Sequence, residues 1–189
     1  MERQFDLQIE KLKKRILKMS SLVDEQVDLA IRTIEENNPE FVDLVIQRED
    51  KVDKFDVKID KICQKIIALN QPVALDLRLI MSSITINTNL ERIGDIAVNM
   101  VENFQVMKGK PSFFEKSKFT DMAKVVKEMI RNSIDSFINN DAKLAQKVIQ
   151  TDKHLDNLNK ENHGILINIM KQDPENIEAG VALLVICRQ

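Results

Sequence analysis

Apolar residues recur every three or four positions along most of this chain, the spacing that keeps one face of an α-helix buried. In the first segment they are Phe5, Ile9, Leu12, Ile16, Met19, Val23, Val27, Ala30 and Ile34. The same rhythm runs from Phe41 to Leu69 and from Leu79 to Phe104. The pattern predicts three long amphipathic helices in the first half of the chain.

Polar and Pro-containing stretches interrupt this pattern. Asn38 is placed to cap a second helix, with Pro39 in its first turn. Residues 70–72 turn the chain again, and residues 108–112 form its clearest Gly/Pro break. Successive helices joined by such short turns run antiparallel, so the first three should form one bundle.

The second half of the chain repeats the first. A shift of 103 residues (149 − 46) overlays Ile46 and Gln47 on Ile149 and Gln150. Six inner positions stay apolar at this shift, becoming Leu144, Val148, Leu155, Leu158, Ile165 and Ile169. We therefore predict an all-α fold of two tandem three-helix bundles related by internal duplication: residues 1–107, a linker at 108–118, and residues 119–189.

The last residues, 181–189, read as the middle of a helix without a stop signal. We expect the third helix of the second unit to be truncated. By the repeat, the counterpart of residues 90–95 would follow Gln189.

Composition excludes several classes of function. Aromatic residues make up 4% of the chain and the formal net charge is -2, so stacking platforms and a basic field for nucleic acid are absent. No apolar run approaches the roughly 20 residues that span a bilayer, so we predict no membrane insertion and a cytoplasmic location. Cys63 and Cys187 fall on apolar helical stripes, which is typical of buried free thiols.

Pairs of carboxylates four residues apart share one face of a helix, where they repel each other unless a cation lies between them. Three such pairs stand out: Glu49/Asp53, its repeat counterpart Asp152/Asp156, and Glu91/Asp95 on the third helix. In the first unit, Asp56 and Asp60 extend the second-helix stripe. The six residues of the three pairs are the candidate metal ligands.

Oxygen ligands favour Mg, Mn, Ca or Fe, while His154 and His163 in the second unit would admit Zn or Fe more readily. The second site should bind more weakly or with different selectivity. The alternative is that these acids pair with Lys51, Lys54, Arg92 or Lys153 on exposed faces. The chain shows no Gly-rich phosphate loop and no nucleophile turn, so no catalytic site is predicted.

The predicted third helix carries LERIGDIAVN at residues 90–99, preceded by Asp76-Leu77-Arg78. This stretch resembles the third-helix signature of PhoU proteins, and the resemblance covers the whole chain. It implies that the three acidic pairs hold metal ions, with Fe, Zn, Mg or Mn as the expected cofactors. A fourth pair, which would complete the second site, would follow Gln189.

The resemblance also implies a function. A PhoU-like protein is a non-enzymatic regulator of phosphate uptake and of the phosphate-starvation response, acting as an adaptor between a phosphate ABC transporter ATPase and a membrane sensor kinase. We expect apolar and basic surface near residues 108–118 to contact partners. A homodimer is also expected, although no residue pattern indicates it. The competing interpretation is a structural helical-bundle adaptor with no metal site.

Overall fold

The computed structural model describes residues 4–189, so residues 1–3 of the predicted first unit lie outside it. Over this range the chain forms six α-helices and two short 3-10 helices. The α-helices are α1 (Gln4–Glu35), α2 (Phe41–Asn70), α3 (Ala74–Met107), α4 (Phe119–Asn139), α5 (Ala142–Gln172) and α6 (Ile177–Arg188). The 3-10 helices, Phe114–Lys116 and Pro174–Asn176, precede α4 and α6. The all-α prediction is confirmed.

The helix ends follow local capping chemistry. Asp141 begins α5 by accepting hydrogen bonds from the backbone N–H groups of Lys143 and Leu144, at 2.9 and 3.0 Å. The Asn38 side chain accepts from the Glu40 N–H at 3.0 Å, and α2 begins one residue later at Phe41. This is the side-chain hydrogen bond predicted for Asn38. Pro39 lies two residues before Phe41, and its carbonyl accepts from the Val42 N–H at 3.1 Å, so it leads the chain into α2.

Helices α1, α2 and α3 pack on one another as predicted. The apolar rhythm of the third helix places Leu79, Ile86, Leu90, Ile93, Ala97, Met100 and Phe104 on its inner face, and only part of this set is buried in α3. Its most buried face carries Ile80, Ser83, Asn87, Leu90, Gly94, Ala97, Val101, Phe104 and Met107, whereas Ile86, Ile93 and Met100 are only partly buried. The reason is that α3 has two packed sides: one faces α1 and α2, and the other faces the second half of the chain.

The second half packs more loosely than the first. Helix α4 packs on α5 and on α1, while α6 packs on α5 and on α3. The predicted inner residues of α5 are mostly half-buried, and Leu166 and Asn162 are its buried residues. Since α6 has 12 residues, it covers only part of α5. A cavity of about 550 Å³ lies between α3, α4 and the end of α6.

The connection between the two halves is packed on the end of α1. Phe113 and Phe114 are 4% and 2% exposed, and the Phe114 and Phe119 rings lie 5.4 Å apart. The Lys110 backbone N–H donates to the Asn37 side chain at 2.8 Å. The expected apolar contact surface near residues 108–118 is therefore absent in the described chain, because its Phe side chains belong to the core.

Two ion pairs join α1 to α4. The Arg131 guanidinium contacts both carboxylate oxygens of Asp24, at 2.8 and 2.9 Å, and Lys127 pairs with Asp28. Arg131 is 57% exposed, so solvent screens the first pair strongly.

We expect Asp24→Asn to lower the free energy of unfolding by no more than about 1 kcal/mol at low salt. The difference from wild type should nearly vanish in 1 M salt, where the Debye length falls to about 3 Å. Urea unfolding at both salt concentrations measures it. Glu36→Gln, which removes the pair with Arg32 at the end of α1, is the matched control. A salt-independent loss would mean that packing, and not charge, is what Asp24 contributes.

Candidate metal centre

The packing of α2 against α3 brings two predicted acidic pairs near each other. Glu49 and Asp53 lie on α2, and Glu91 and Asp95 lie on α3. Burial raises the pKa of Glu49 above its ordinary value, a hydrogen bond from Gln26 opposes this, and the charges of Asp53, Asp95 and Glu91 raise it further. The carboxylates therefore act on one another across the interface between the two helices.

A fifth carboxylate belongs to the same group. Burial raises the pKa of Glu91, and Asp95, Asp56 and Asp53 add to the shift while Arg92 opposes it. Burial likewise raises the pKa of Asp56, followed by the charges of Asp60 and Asp53. We call Glu49, Asp53, Asp56, Glu91 and Asp95 the acidic cluster.

In the part of the chain that the structure describes, residues 4–189, no basic side chain forms an ion pair with the acidic cluster. Lys51, Lys54 and Lys153, the basic residues offered by the competing interpretation, make no ion pair with it in that range. Arg92 only weakly offsets the charge of Glu91. Like charges held at one place without a counter-ion favour the binding of an external cation.

Two buried side-chain amides donate hydrogen bonds to carboxylates of the acidic cluster. Gln26 on α1 donates to the Glu49 carboxylate at 2.5 Å, and Asn87 on α3 donates to the Asp56 carboxylate at 2.7 Å. Gln26 is 0% exposed and Asn87 is 2% exposed. The sequence prediction missed both residues. Their signal was present, since each is a polar residue on a mostly apolar helical face.

Gly94 makes the close approach of the helices possible. A Cβ at this position would lie 2.7 Å from Glu49 Oε2 and 3.1 Å from Gln26 Oε1. A side chain there would push the Glu49 carboxylate aside. The Gly in the LERIGDIAVN stretch therefore has a local role, which is to leave room for the contact between Gln26 and Glu49.

The donor set fits a hard cation, although the side chains do not already surround one. In the described part of the chain, no three His, Cys, Asp or Glu side chains converge closely enough to hold a metal ion. Among residues 4–189, three buried oxygens at the site have no hydrogen-bond partner: Gln26 Oε1, Glu49 Oε1 and Asn87 Oδ1. Carboxylate and amide oxygens suit Mg, Mn, Ca or Fe. Binding would require the carboxylates to turn toward one another.

The third predicted pair lies apart from the cluster. Asp152 and Asp156 are exposed on α5, and His154 and His163 are exposed on the same helix. Asp156 lines the cavity together with Asn159 and Arg188. Within residues 4–189 no acidic pair faces Asp152 and Asp156 across a helix interface in the way that α3 faces α2. The structure thus brings four of the six predicted ligands together and leaves two apart.

Both cysteines are free thiols, as predicted; Cys63 is buried, whereas Cys187 is only partly buried and lines the cavity. Burial raises the pKa of Cys63 to about 11 and that of Cys187 to about 12. Because the thiolate is the reactive form, we expect both to resist a thiol reagent at pH 8 until the protein unfolds. Labelling before and after adding denaturant measures this. Rapid labelling of the folded chain would contradict the burial.

Comparison with known protein families matches the chain in two segments. The family model for the PhoU domain matches residues 16–104 and 119–189, on either side of the connection between α3 and α4. The chain belongs to the PhoU family. The resemblance seen in residues 90–99 is thereby confirmed.

Relatives match this PhoU protein over nearly its whole length. A phosphate-specific transport system accessory protein PhoU homolog from Aquifex aeolicus is 35% identical over 181 residues, covering 96% of this chain and 82% of the relative. The PhoU accessory protein of Serratia marcescens is 31% identical, covering 98% and 76%.

Solved structures share the fold. The crystal structure of PhoU from Pseudomonas aeruginosa superposes with a TM-score of 0.92 at 30% identity, covering 98% of this chain and 89% of the other. The phosphate transport system regulatory protein PhoU from Streptococcus pneumoniae, at 24% identity and TM-score 0.87, covers 97% and 86% and supports the fold alone. The six helices of this PhoU protein are therefore those of its family.

Proposed function

We propose that this chain regulates phosphate uptake and the phosphate-starvation response, as a cytoplasmic, non-enzymatic adaptor between a phosphate ABC transporter ATPase and a membrane sensor kinase. The observation that carries the proposal is the PhoU family match over both halves of the chain. Relatives that match it over nearly its full length are named accessory proteins of the phosphate-specific transport system. Among residues 4–189, none of the helices is both long and apolar enough to cross a bilayer.

The acidic cluster is the proposed cation site of this adaptor. Glu49 and Asp53 from α2 and Glu91 and Asp95 from α3 would hold an ion such as Mg, Mn, Fe or Zn. A bound cation supplies positive charge, which would neutralise the uncompensated carboxylates and leave a patch that tolerates anions. Asp152 and Asp156 would form a weaker second site. A homodimer is the proposed assembly.

Recovery of partners from phosphate-replete cells tests the adaptor role. The tagged chain is expected to co-purify the transporter ATPase and the sensor kinase, and cells lacking the chain are expected to express phosphate-starvation genes despite ample phosphate. The control bait is the tag alone. A deletion strain that still silences those genes in ample phosphate would contradict the proposal.

Elemental analysis separates the metal-binding adaptor from a structural helical bundle without metal. The purified chain should carry metal that is lost in a Glu91→Gln, Asp95→Asn double variant. Equal metal content in both proteins would remove the cluster from the proposal. Partner recovery without any bound metal would favour the structural adaptor.

A further inference from the structure

Gln26 is held in one orientation by three acceptors. Its amide nitrogen donates to the Val45 carbonyl at 3.3 Å, to Glu49 Oε2 at 2.5 Å and to the Gly94 carbonyl at 3.3 Å. The residue is 0% exposed, so water does not compete for these bonds. The contacts tie α1 to both helices of the acidic cluster at a single side chain.

The bond to Glu49 engages one carboxylate oxygen and leaves the other available. Glu49 Oε1 and Gln26 Oε1 are both buried, and neither has a hydrogen-bond partner among the described residues. A buried polar atom without a partner costs free energy, so such an atom is unusual unless something else binds it. Within residues 4–189, these two oxygens lie beside carboxylates that form no ion pair.

Among the residues that the structure describes, the second unit has no equivalent hydrogen bond from a buried amide to a carboxylate of its acidic pair. At the 103-residue shift, Gln26 falls on Met129 and Glu49 falls on Asp152. Met129 is half-buried, and its thioether cannot donate a hydrogen bond to a carboxylate. Asp152 is exposed and has no such amide above it in the described chain.

We propose that Gln26 is the positioning residue of the cation site: it orients Glu49 through the amide and aims its own carbonyl oxygen at the same ion. This inference rests on the proposed cation site and deepens it. It explains why the two units differ, since only the first has a buried amide that fixes a carboxylate before the ion arrives. Groups that orient metal ligands typically change metal affinity by about 10- to 100-fold when they are replaced.

Binding of Mn²⁺ to the chelator-treated protein tests the proposal, because electron paramagnetic resonance counts the free ion directly. Gln26→Met copies the residue of the second unit and is expected to weaken Mn²⁺ binding about tenfold or more. Met129→Gln is the matched control and should leave the affinity unchanged. Thermal unfolding in chelator checks that both variants are folded.

Gly94→Ala provides a second, independent variant. Its Cβ meets Glu49 Oε2 at 2.7 Å, and that atom is the end of a flexible side chain, so the variant should fold while the carboxylate turns away from Gln26. We expect a loss of Mn²⁺ affinity comparable to that of Gln26→Met. This variant carries the test if Gln26→Met fails to fold.

The outcomes separate the two proposals. The cation site is supported if the wild-type chain binds Mn²⁺ and Glu91→Gln abolishes that binding. If Gln26→Met and Gly94→Ala then bind Mn²⁺ with unchanged affinity, the role of Gln26 alone is overturned. If the wild-type chain binds no Mn²⁺, both the cation site and this inference fail. A stability loss in chelator without a change in Mn²⁺ affinity would assign Gln26 a purely structural role and overturn the inference.

Discussion

Saturating Mn²⁺ is expected to raise the melting temperature of the chelator-treated protein by about 5 to 10 °C. An ion that binds only the folded chain adds about 2.7 kcal/mol when its concentration is 100 times its dissociation constant. For a chain of this size, 1 kcal/mol moves the melting temperature by roughly 2 to 4 °C. Differential scanning calorimetry with and without Mn²⁺ measures the shift.

The Glu91→Gln, Asp95→Asn variant should lose this shift. A matched control is Glu10→Gln, Asp50→Asn, which removes the same charge from two exposed acids outside the cluster. The control should keep the full shift. Equal Mn²⁺ effects in the two variants would show that the ion acts elsewhere on the protein.

The Glu91→Gln, Asp95→Asn variant should have a larger free energy of unfolding than wild type when no cation is present. Burial and neighbouring carboxylates raise the pKa of Glu91, so the folded state binds its proton more tightly than the unfolded state does. For an acid shifted in this direction, stability is lost as pH rises from the ordinary value of 4.5 through the raised value. Glu91→Gln removes that loss. The advantage in chelator should therefore appear at neutral pH and disappear in acid.

Truncation of the first-unit core is the second change for which we expect a large effect. Leu12 is 0% exposed on α1, and replacing a fully buried Leu with Ala costs about 2 to 5 kcal/mol through lost burial and the cavity left behind. Total stabilities of single domains are only about 5 to 15 kcal/mol. Leu12→Ala should therefore shift the urea midpoint strongly.

Leu17→Ala is the control on the same helix. Leu17 is 40% exposed, so its side chain leaves a smaller gap and the loss should be about 1 kcal/mol or less. Urea unfolding of both variants under one condition compares them. Equal losses would mean that α1 does not carry the core in the way its buried residues indicate.

The helices and their order were predictable because each depends on local periodicity and turn residues. The apolar spacing in α1 matches its buried residues, from Ile9 through Leu12 to Ile34. The face of α3 was not predictable in the same way. It packs on two sides, so the partly buried Ile86 and Ile93 fitted the predicted stripe as well as the buried Leu90 did, and the buried Ile80 fell outside it.

For the candidate site too, the sequence indicated some features and the packing of the helices decided others. Spacing of four along one helix indicated Glu49/Asp53 and Glu91/Asp95, and the repeat added Asp152/Asp156. Spacing could not show that the first two pairs influence one another across α2 and α3 while the third lies apart, because that influence joins residues on different helices, such as Asp53 and Glu91.

The sequence by itself determined an all-α chain of two related sets of helices, the family to which the chain belongs, and the acidic residues worth testing, since all of these are encoded in local spacing and short motifs. Only the tertiary structure decided which carboxylates share a site, that Gln26 and Asn87 support them from the buried side, and that residues 113 and 114 complete the core. The physical reason is that burial and electrostatic coupling arise between helices, where neighbours in space are distant along the chain.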